Sequence, residues 1–149
     1  MPLQGEYAPP PPVDWIRDQI ETWERTGGRE GTRHRDTGLP VVIVVNRGAK
    51  SDRLHRTPLM RVEHQGDFLA VGSKGGAPQN PAWVNNIRTH PEVEIWDGTE
   101  RGDYTVREVH GEEREQWWER AVAAYPPYAE YQTRTDRLIP LFVLEPAGS

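Results

Sequence analysis

The residues best suited to chemistry fall into three short segments. The first, Gly72-Ser73-Lys74-Gly75-Gly76-Ala77-Pro78-Gln79-Asn80-Pro81-Ala82-Trp83, is a glycine-rich loop with one cation that runs straight into a helix start. Exposed amides, a lysine and a helix N-terminus converge there, which suits an anionic ligand. The second, Gly48 to Met60, carries Lys50, Arg53, His55 and Arg56. Arg can bind phosphate or carboxylate bidentately and Lys offers a point charge, so two glycine-punctuated cationic segments on an acidic chain suggest one anion-binding groove. A solvated, charged hairpin turn would have the same composition. The third, Tyr125-Pro126-Pro127-Tyr128-Ala129-Glu130-Tyr131-Gln132, spaces its tyrosines three apart, which on a helix or tight turn sets them along one edge. Such an edge either packs a terminal helix or faces a ligand.

Other chemistries lack their signatures. There is no dinucleotide fingerprint, Walker loop, Gly-x-Ser-x-Gly elbow or His-Glu-x-x-His, so hydrolase and NTPase readings lose support. His34, His55, His64, His90 and His110 are scattered without metal-site spacing and read as surface or hydrogen-bonded side chains; His55 stands apart because it lies inside the basic segment. The chain has no cysteine, which removes disulfides, thiolate metal sites and cysteine nucleophiles. No metal is expected.

The three segments, in this order and with Thr135-Asp136-Arg137 trailing the last, resemble the deazaflavin (coenzyme F420)-dependent nitroreductase family over roughly residues 39 to 146. The sharpest matches are Thr57-Pro58-Leu59, Ser73-Lys74-Gly75-Gly76-Ala77-Pro78, and Asn80-Pro81 with Trp83. The resemblance implies a six-stranded antiparallel split β-barrel of the FMN-binding type, with coenzyme F420 across the barrel wall. It implies an oxidoreductase that passes hydride from the reduced deazaflavin to a planar, electron-poor acceptor such as a quinone, nitroaromatic or activated alkene. The cofactor contacts it implies are Lys50, Ser51, Arg53, His55, Arg56, Thr57, Pro58, Leu59 and Met60, then Gly72, Ser73 and Lys74, then Ala82, Trp83, Val84, Asn85 and Asn86. Lys50, Arg53, Arg56 and Lys74 would meet the phosphodiester and glutamate tail, and Ser73 with its neighbouring amides would face the ring carbonyls. Tyr125, Tyr128 and Tyr131 would line the acceptor pocket, with Tyr128 donating a phenolic proton as hydride arrives. Two positions depart from the family pattern. Asp52 places an anion among the phosphate-side cations, and Met60 stands where nitroimidazole-reducing members carry tyrosine, which argues against nitro-drug reduction. An FMN enzyme on the same barrel and a non-catalytic deazaflavin carrier are the alternatives.

The elements that must position these residues can be read from pattern. At 149 residues the chain has the size of one domain. Residues 1–12, ending in Pro9 to Pro12, read as an extended arm, and residues 13–149 as a single domain. Ile16, Ile20 and Trp23 share a face of a helix from Trp15 to Arg25, with Asp14 as its N-cap and Gly27-Gly28 as its stop. Gly28 to Gly38 has the composition of a mobile surface loop. Expected strands are Pro40–Asn46, Pro58–Glu63 and Asp67–Gly72 about a Gln65-Gly66 turn, Val93–Trp96, Tyr104–Val109, and Leu138–Leu144 with Pro140 in it. Helices are expected from Asn80 as cap to Pro91 and over about Glu112–Ala124. Net charge of −5 speaks against a nucleic-acid partner. The sequence shows no signal peptide and no bilayer-length apolar run, so a cytoplasmic monomer or homodimer is expected, with membrane association not expected.

Overall fold

A computed structural model of the chain describes residues 3–147; Met1 and Pro2 of the expected arm, and Gly148 and Ser149 of the expected domain, lie outside the described residues. In chain order the elements are α1 (Asp14–Thr26), β1 (Val41–Arg47), β2 (Leu54–Met60), β3 (Glu63–His64), β4 (Asp67–Val71), a 3-10 turn (Lys74–Gly76), α2 (Ala82–Thr89), β5 (Glu92–Asp97), β6 (Glu100–Glu108), α3 (Gly111–Ala124), α4 (Pro127–Thr133) and β7 (Leu141–Pro146). The strands form one curled antiparallel sheet in the order β2-β1-β5-β6-β7-β4-β3, the half-barrel of a split β-barrel. Seven strands replace the expected six because the stretch expected as one strand, Pro58–Glu63, breaks after Met60 and restarts as the two-residue β3.

Strand β1 explains why its sequence is an unbroken apolar run. Val42 and Val44 face a core shared with Val84 and Ile87 of α2, while Val41, Ile43 and Val45 face Ile20 and Trp23 of α1. Both faces are buried, so no polar alternation is needed. β7 works the same way: Phe142 and Leu144 join the α2 core, and Leu141 and Val143 pack on Trp117 and Ala121 of α3. Between β3 and β4, Gln65 and Gly66 both adopt positive φ (53° and 89°), the two-residue turn whose twist matches a hairpin.

Several local expectations are corrected. Most of the basic segment is strand rather than turn, since β2 already begins at Leu54. Pro58 is tolerated there because β2 is the edge of the sheet. The proline arm lies along that edge, with the Leu54 amide donating to the Glu6 carbonyl at 2.8 Å and the Ala8 amide to the Leu54 carbonyl at 2.8 Å. Asp14 is the first helical residue instead of the N-cap, which is Val13, and its carboxylate pairs with Arg17 one turn on. Asn80 does not cap α2; Pro81 takes that position. β7 starts after Pro140. The 28–38 loop is tied down: Gln19 of α1 donates to the carbonyls of Gly31 and Arg33, and the Val41 amide donates to Thr32.

Candidate functional site

Two cavities meet along β2 and the start of α2. The larger, of about 1000 Å³, is walled by Ala8 and Pro9–Pro12 of the arm, the Gly48–Ser51 loop, His55–Thr57 of β2, and Ala82, Trp83, Asn85 and Asn86 of α2. Lys50 and Arg56 supply its charge, His55 adds an imidazole, and no carboxylate lines it although the chain has 23 acidic residues. The smaller, of about 490 Å³, is lined by Pro58, Leu59 and Met60 of β2, Ser73–Gly75, Trp15 and Gln19 of α1, His34, and all three tyrosines of the Tyr-Pro-Pro-Tyr segment. Trp83 lines both, so a largely apolar chamber edged by cations and an aromatic one share a single indole. Both volumes fall in the range of small-molecule sites.

The floor of the larger cavity rests on a buried amide that the sequence reading passed over. Asn46, fully buried at the end of β1, donates through Nδ2 to the Val44 carbonyl at 3.1 Å and the Thr57 hydroxyl at 3.0 Å. Its Oδ1 accepts from Asn86 Nδ2 at 2.9 Å, and Asn86 Oδ1 accepts from the Ala49 amide at 3.0 Å. This chain of amides joins β1, β2, α2 and the Gly48–Ser51 loop. Its only sequence signal was a lone Asn closing an apolar run. Gly48 lets the Ser51 and His55 side chains close over that loop, since a Cβ there would lie 2.4 Å from Ser51 Oγ and 2.9 Å from His55 Nε2 and would displace both.

Arg137 organises the glycine loop. Its Nε donates to the Ala77 carbonyl (2.9 Å), Nη1 to the Gly72 carbonyl (3.1 Å) and Asn80 Oδ1 (2.7 Å), and Nη2 to the Ser73 carbonyl (2.8 Å). The planar guanidinium thus satisfies acceptors across the whole loop at once. Arg137's own carbonyl accepts from Gln132 of α4, which links the loop to the tyrosine helix. Gly76 makes the close approach possible: φ is +83° and a Cβ would sit 2.6 Å from the Tyr131 carbonyl. Ser73 is 8 % exposed, lines the smaller cavity, and its hydroxyl caps no helix turn.

The tyrosines form one cluster. Tyr125 and Tyr131 share a hydroxyl–hydroxyl hydrogen bond of 3.1 Å, and the Tyr128 ring stands T-shaped to Tyr125 with centroids 4.9 Å apart. Burial, followed by the hydrogen bond to Tyr131, pushes the Tyr125 phenol up to about 12. Burial, then the two neighbouring phenols, raises Tyr128 still further from its ordinary value. Tyr125 and Tyr128 are thereby held as neutral phenols at physiological pH.

The remaining expected contacts separate. Lys74 lines the aromatic cavity and not the cationic one. Arg56 lines the cationic cavity, but its guanidinium is committed to Glu24 of α1 and to the Ala8 carbonyl (3.2 Å), and it stacks 4.8 Å over Tyr7; only its buried Nε has no partner. It fastens the arm and α1 to β2. Arg53 is exposed and lines neither cavity, Val84 is core, and Gly72 packs against Pro140 and Val84. Asp52, at φ +62°, turns its carboxylate to Arg47 at 3.6 Å, so its charge has a partner outside the cavity lining. Trp15, Gln19 and His34 enter the smaller cavity from a helix and loop whose sequence pattern signalled only core packing and solvent.

Comparison with known proteins converges on one family. The F420H(2)-dependent quinone reductase family matches residues 15–146. An F420H(2)-dependent quinone reductase of Mycobacterium tuberculosis (strain ATCC 25618 / H37Rv) is 35% identical over 136 residues, covering 89% of this chain and 90% of the relative. A solved structure described as an F420-H2 dependent reductase is 53% identical, covers 71% of this chain and 94% of that one, and superposes with a TM-score of 0.68. A second, described as a domain-swapped dimer, is 49% identical, covers 90% and 99% of the two chains, and has a TM-score of 0.71.

Proposed function

The chain belongs to the F420H(2)-dependent quinone reductase family, and from that premise we propose how its two cavities divide the work. The protein is an oxidoreductase whose cofactor is coenzyme F420. In our reading the cationic cavity takes the phosphodiester and glutamate tail, and the aromatic cavity takes the ring face and the acceptor. The observation that carries this is the pairing of a carboxylate-free, cation-lined chamber with an aromatic chamber across Trp83. It suits a ligand with an anionic tail and a flat head.

The deazaflavin supplies hydride when reduced; the protein's own groups bind, orient and exclude water. Lys50 attracts the tail and His55 offers it a hydrogen-bonding ring, while Arg56, engaged by Glu24 and the Ala8 carbonyl, holds the arm that walls the cavity. Ser73 and the amides of its loop, fixed from behind by Arg137, offer donors where negative charge develops on ring carbonyls. Pro58 and Leu59 form an apolar shelf, and the tyrosines close the far side. Tyr128, with its pKa raised by burial, holds on to its proton and acts by donating a hydrogen bond to the reduced acceptor.

The acceptor we assign is a quinone, with activated alkenes as a second class and nitroarenes less favoured because Met60 lines the pocket. Anaerobic mixing of the protein, reduced F420 and menadione, a nitroarene or an activated alkene tests this through the return of deazaflavin fluorescence. Quinone turnover well above the protein-free rate is expected, and no turnover of any acceptor would sink the reading in favour of a carrier. No helix among the described residues is long and apolar enough to cross a membrane, and we place the protein in the cytoplasm. The domain-swapped relative makes a homodimer the assembly to test by light scattering.

A further inference from the structure

The aromatic cavity also holds an imidazole. His34 lines that cavity, from the loop between α1 and β1. Its Nδ1 faces two backbone donors, the amides of Asp36 at 3.2 Å and Thr37 at 3.3 Å. Two N–H groups can only be satisfied by a lone pair, so Nδ1 is the bare nitrogen and Nε2 carries the proton. The backbone fixes the ring as well: the His34 amide donates to the Leu39 carbonyl at 2.7 Å, and the Gly38 amide donates to the His34 carbonyl at 2.9 Å. Trp15 stands T-shaped against the imidazole at 5.9 Å, and Tyr125 lies 6.2 Å away on the other element of the cavity wall. The result is an imidazole whose N–H is at Nε2, lining the cavity from the loop that follows α1, whereas Ser73 comes from the sheet side, Tyr125 from the end of α3, and Tyr128 and Tyr131 from α4.

A quinone has two carbonyl oxygens, and its reduction places charge on both. The acceptor gains a hydride and a proton, both lost by the reduced cofactor, and becomes the hydroquinone. A donor set confined to one wall would leave the far oxygen without a partner as its charge grows. We infer that His34 binds the acceptor directly, its Nε2–H donating to one carbonyl oxygen while the tyrosine cluster serves the other end. This inference rests on the quinone reading above. It makes the turn between α1 and β1 a specificity element for acceptors that carry a carbonyl oxygen at the right distance from the ring face, and it gives the loop's firm anchoring to Gln19 a purpose.

Two substitutions separate this role from a purely structural one. Asn places its Oδ1 near the position of Nδ1, so H34N keeps the acceptor for the Asp36 and Thr37 amides and loses the cavity donor. Gln places its Nε2 near the position of the imidazole Nε2, so H34Q keeps the donor and loses the turn contacts. The measurement is calorimetric binding of menadione, and of 2-methylnaphthalene as a carbonyl-free control, to the full chain saturated with oxidised F420, where no turnover occurs. The expected result is about tenfold weaker menadione binding by H34N, most of the affinity kept by H34Q, and unchanged binding of the control by both. A side-chain nitrogen NMR spectrum of the wild type should show the Nε2–H tautomer and a shift of that nitrogen when menadione is added. Menadione binding by H34N equal to wild type, or losses shared by the control ligand, would overturn the inference alone. Failure of the wild type to bind menadione would overturn it together with the quinone reading.

Discussion

Arg137 Nη2 donates to the carbonyl oxygen of Ser73 at 2.8 Å across 64 positions of sequence. The residue that lines the aromatic cavity is therefore held from its backbone side by a cation belonging to the segment after α4. The same guanidinium reaches Gly72, Ala77 and Asn80, and Gln132 holds Arg137's own carbonyl. Loop and tyrosine helix are set by one side chain.

Replacing Arg137 with Ala should loosen the loop more than it unfolds the protein. Hydrogen bonds to a charged group contribute about 1.5–3 kcal/mol, so cofactor affinity should fall on the order of thirtyfold. Added guanidinium should restore part of it, whereas Arg137→Lys should recover little because an ammonium cannot span the same acceptors. Fluorescence titration of the cofactor against each variant checks this.

Asn46→Leu should destabilise the fold by about 1–3 kcal/mol, because it removes a fully buried amide and leaves the part-buried Asn86 amide and Thr57 hydroxyl without their partner. Urea unfolding measures the loss. Asn86→Ala, which frees the Ala49 amide and the basic loop at a partly exposed position, should cost less stability and proportionally more cofactor affinity.

Alkaline pH should weaken the protein in a defined window. The raised pKa of Tyr125 means the folded state holds its proton more tightly than the unfolded chain does. Its contribution is fully present below the ordinary tyrosine pKa of 10.0 and is lost as pH rises through about 12. Tyr128 acts in the same direction, since burial raises it too. Thermal unfolding from pH 9 to 12 should show a falling midpoint, shallower in Tyr125→Phe and Tyr128→Phe. A flat profile in the wild type would show that the phenols are not buried as a cluster.

Tyr128→Phe should lower kcat with a quinone by about tenfold or less, the size of one hydrogen bond to developing charge, and leave cofactor affinity unchanged. A loss of several orders of magnitude would mean that Tyr128 transfers its proton outright.

The sequence revealed what local chemistry controls. The β-branched run at Val41–Val45 could only be a strand buried on both faces, and Gln65-Gly66 could only be a tight hairpin. The glycine loop and the tyrosine run announced themselves by composition. β2 was half concealed, because Leu54-His55-Arg56-Thr57-Pro58-Leu59-Met60 serves a cavity wall and a sheet edge and so carries neither alternation nor a buried run. Asp14 and Asn80 looked like helix caps, but Val13 and Pro81 occupy those positions and Arg17 and Arg137 claim the polar side chains. Arg56 read as a ligand cation, yet Glu24 and the arm engage it. Arg137, Asn46 and His34 were invisible as site residues for a common reason: their roles are fixed by backbone groups or partners that only the folded chain brings to them.

The division of labour between the cavities is tested most directly by comparing F420 with the bare deazaflavin chromophore that lacks the phosphodiester and glutamate tail. Binding of each to the wild-type chain and to Lys50→Ala is followed by cofactor fluorescence at low and high salt. F420 should bind more tightly than the chromophore, lose affinity as salt rises, and lose about two- to fivefold of it in Lys50→Ala, while the chromophore should respond to neither change. Equal, salt-independent affinity for the two ligands would contradict that division, and would leave the cationic cavity without its anion.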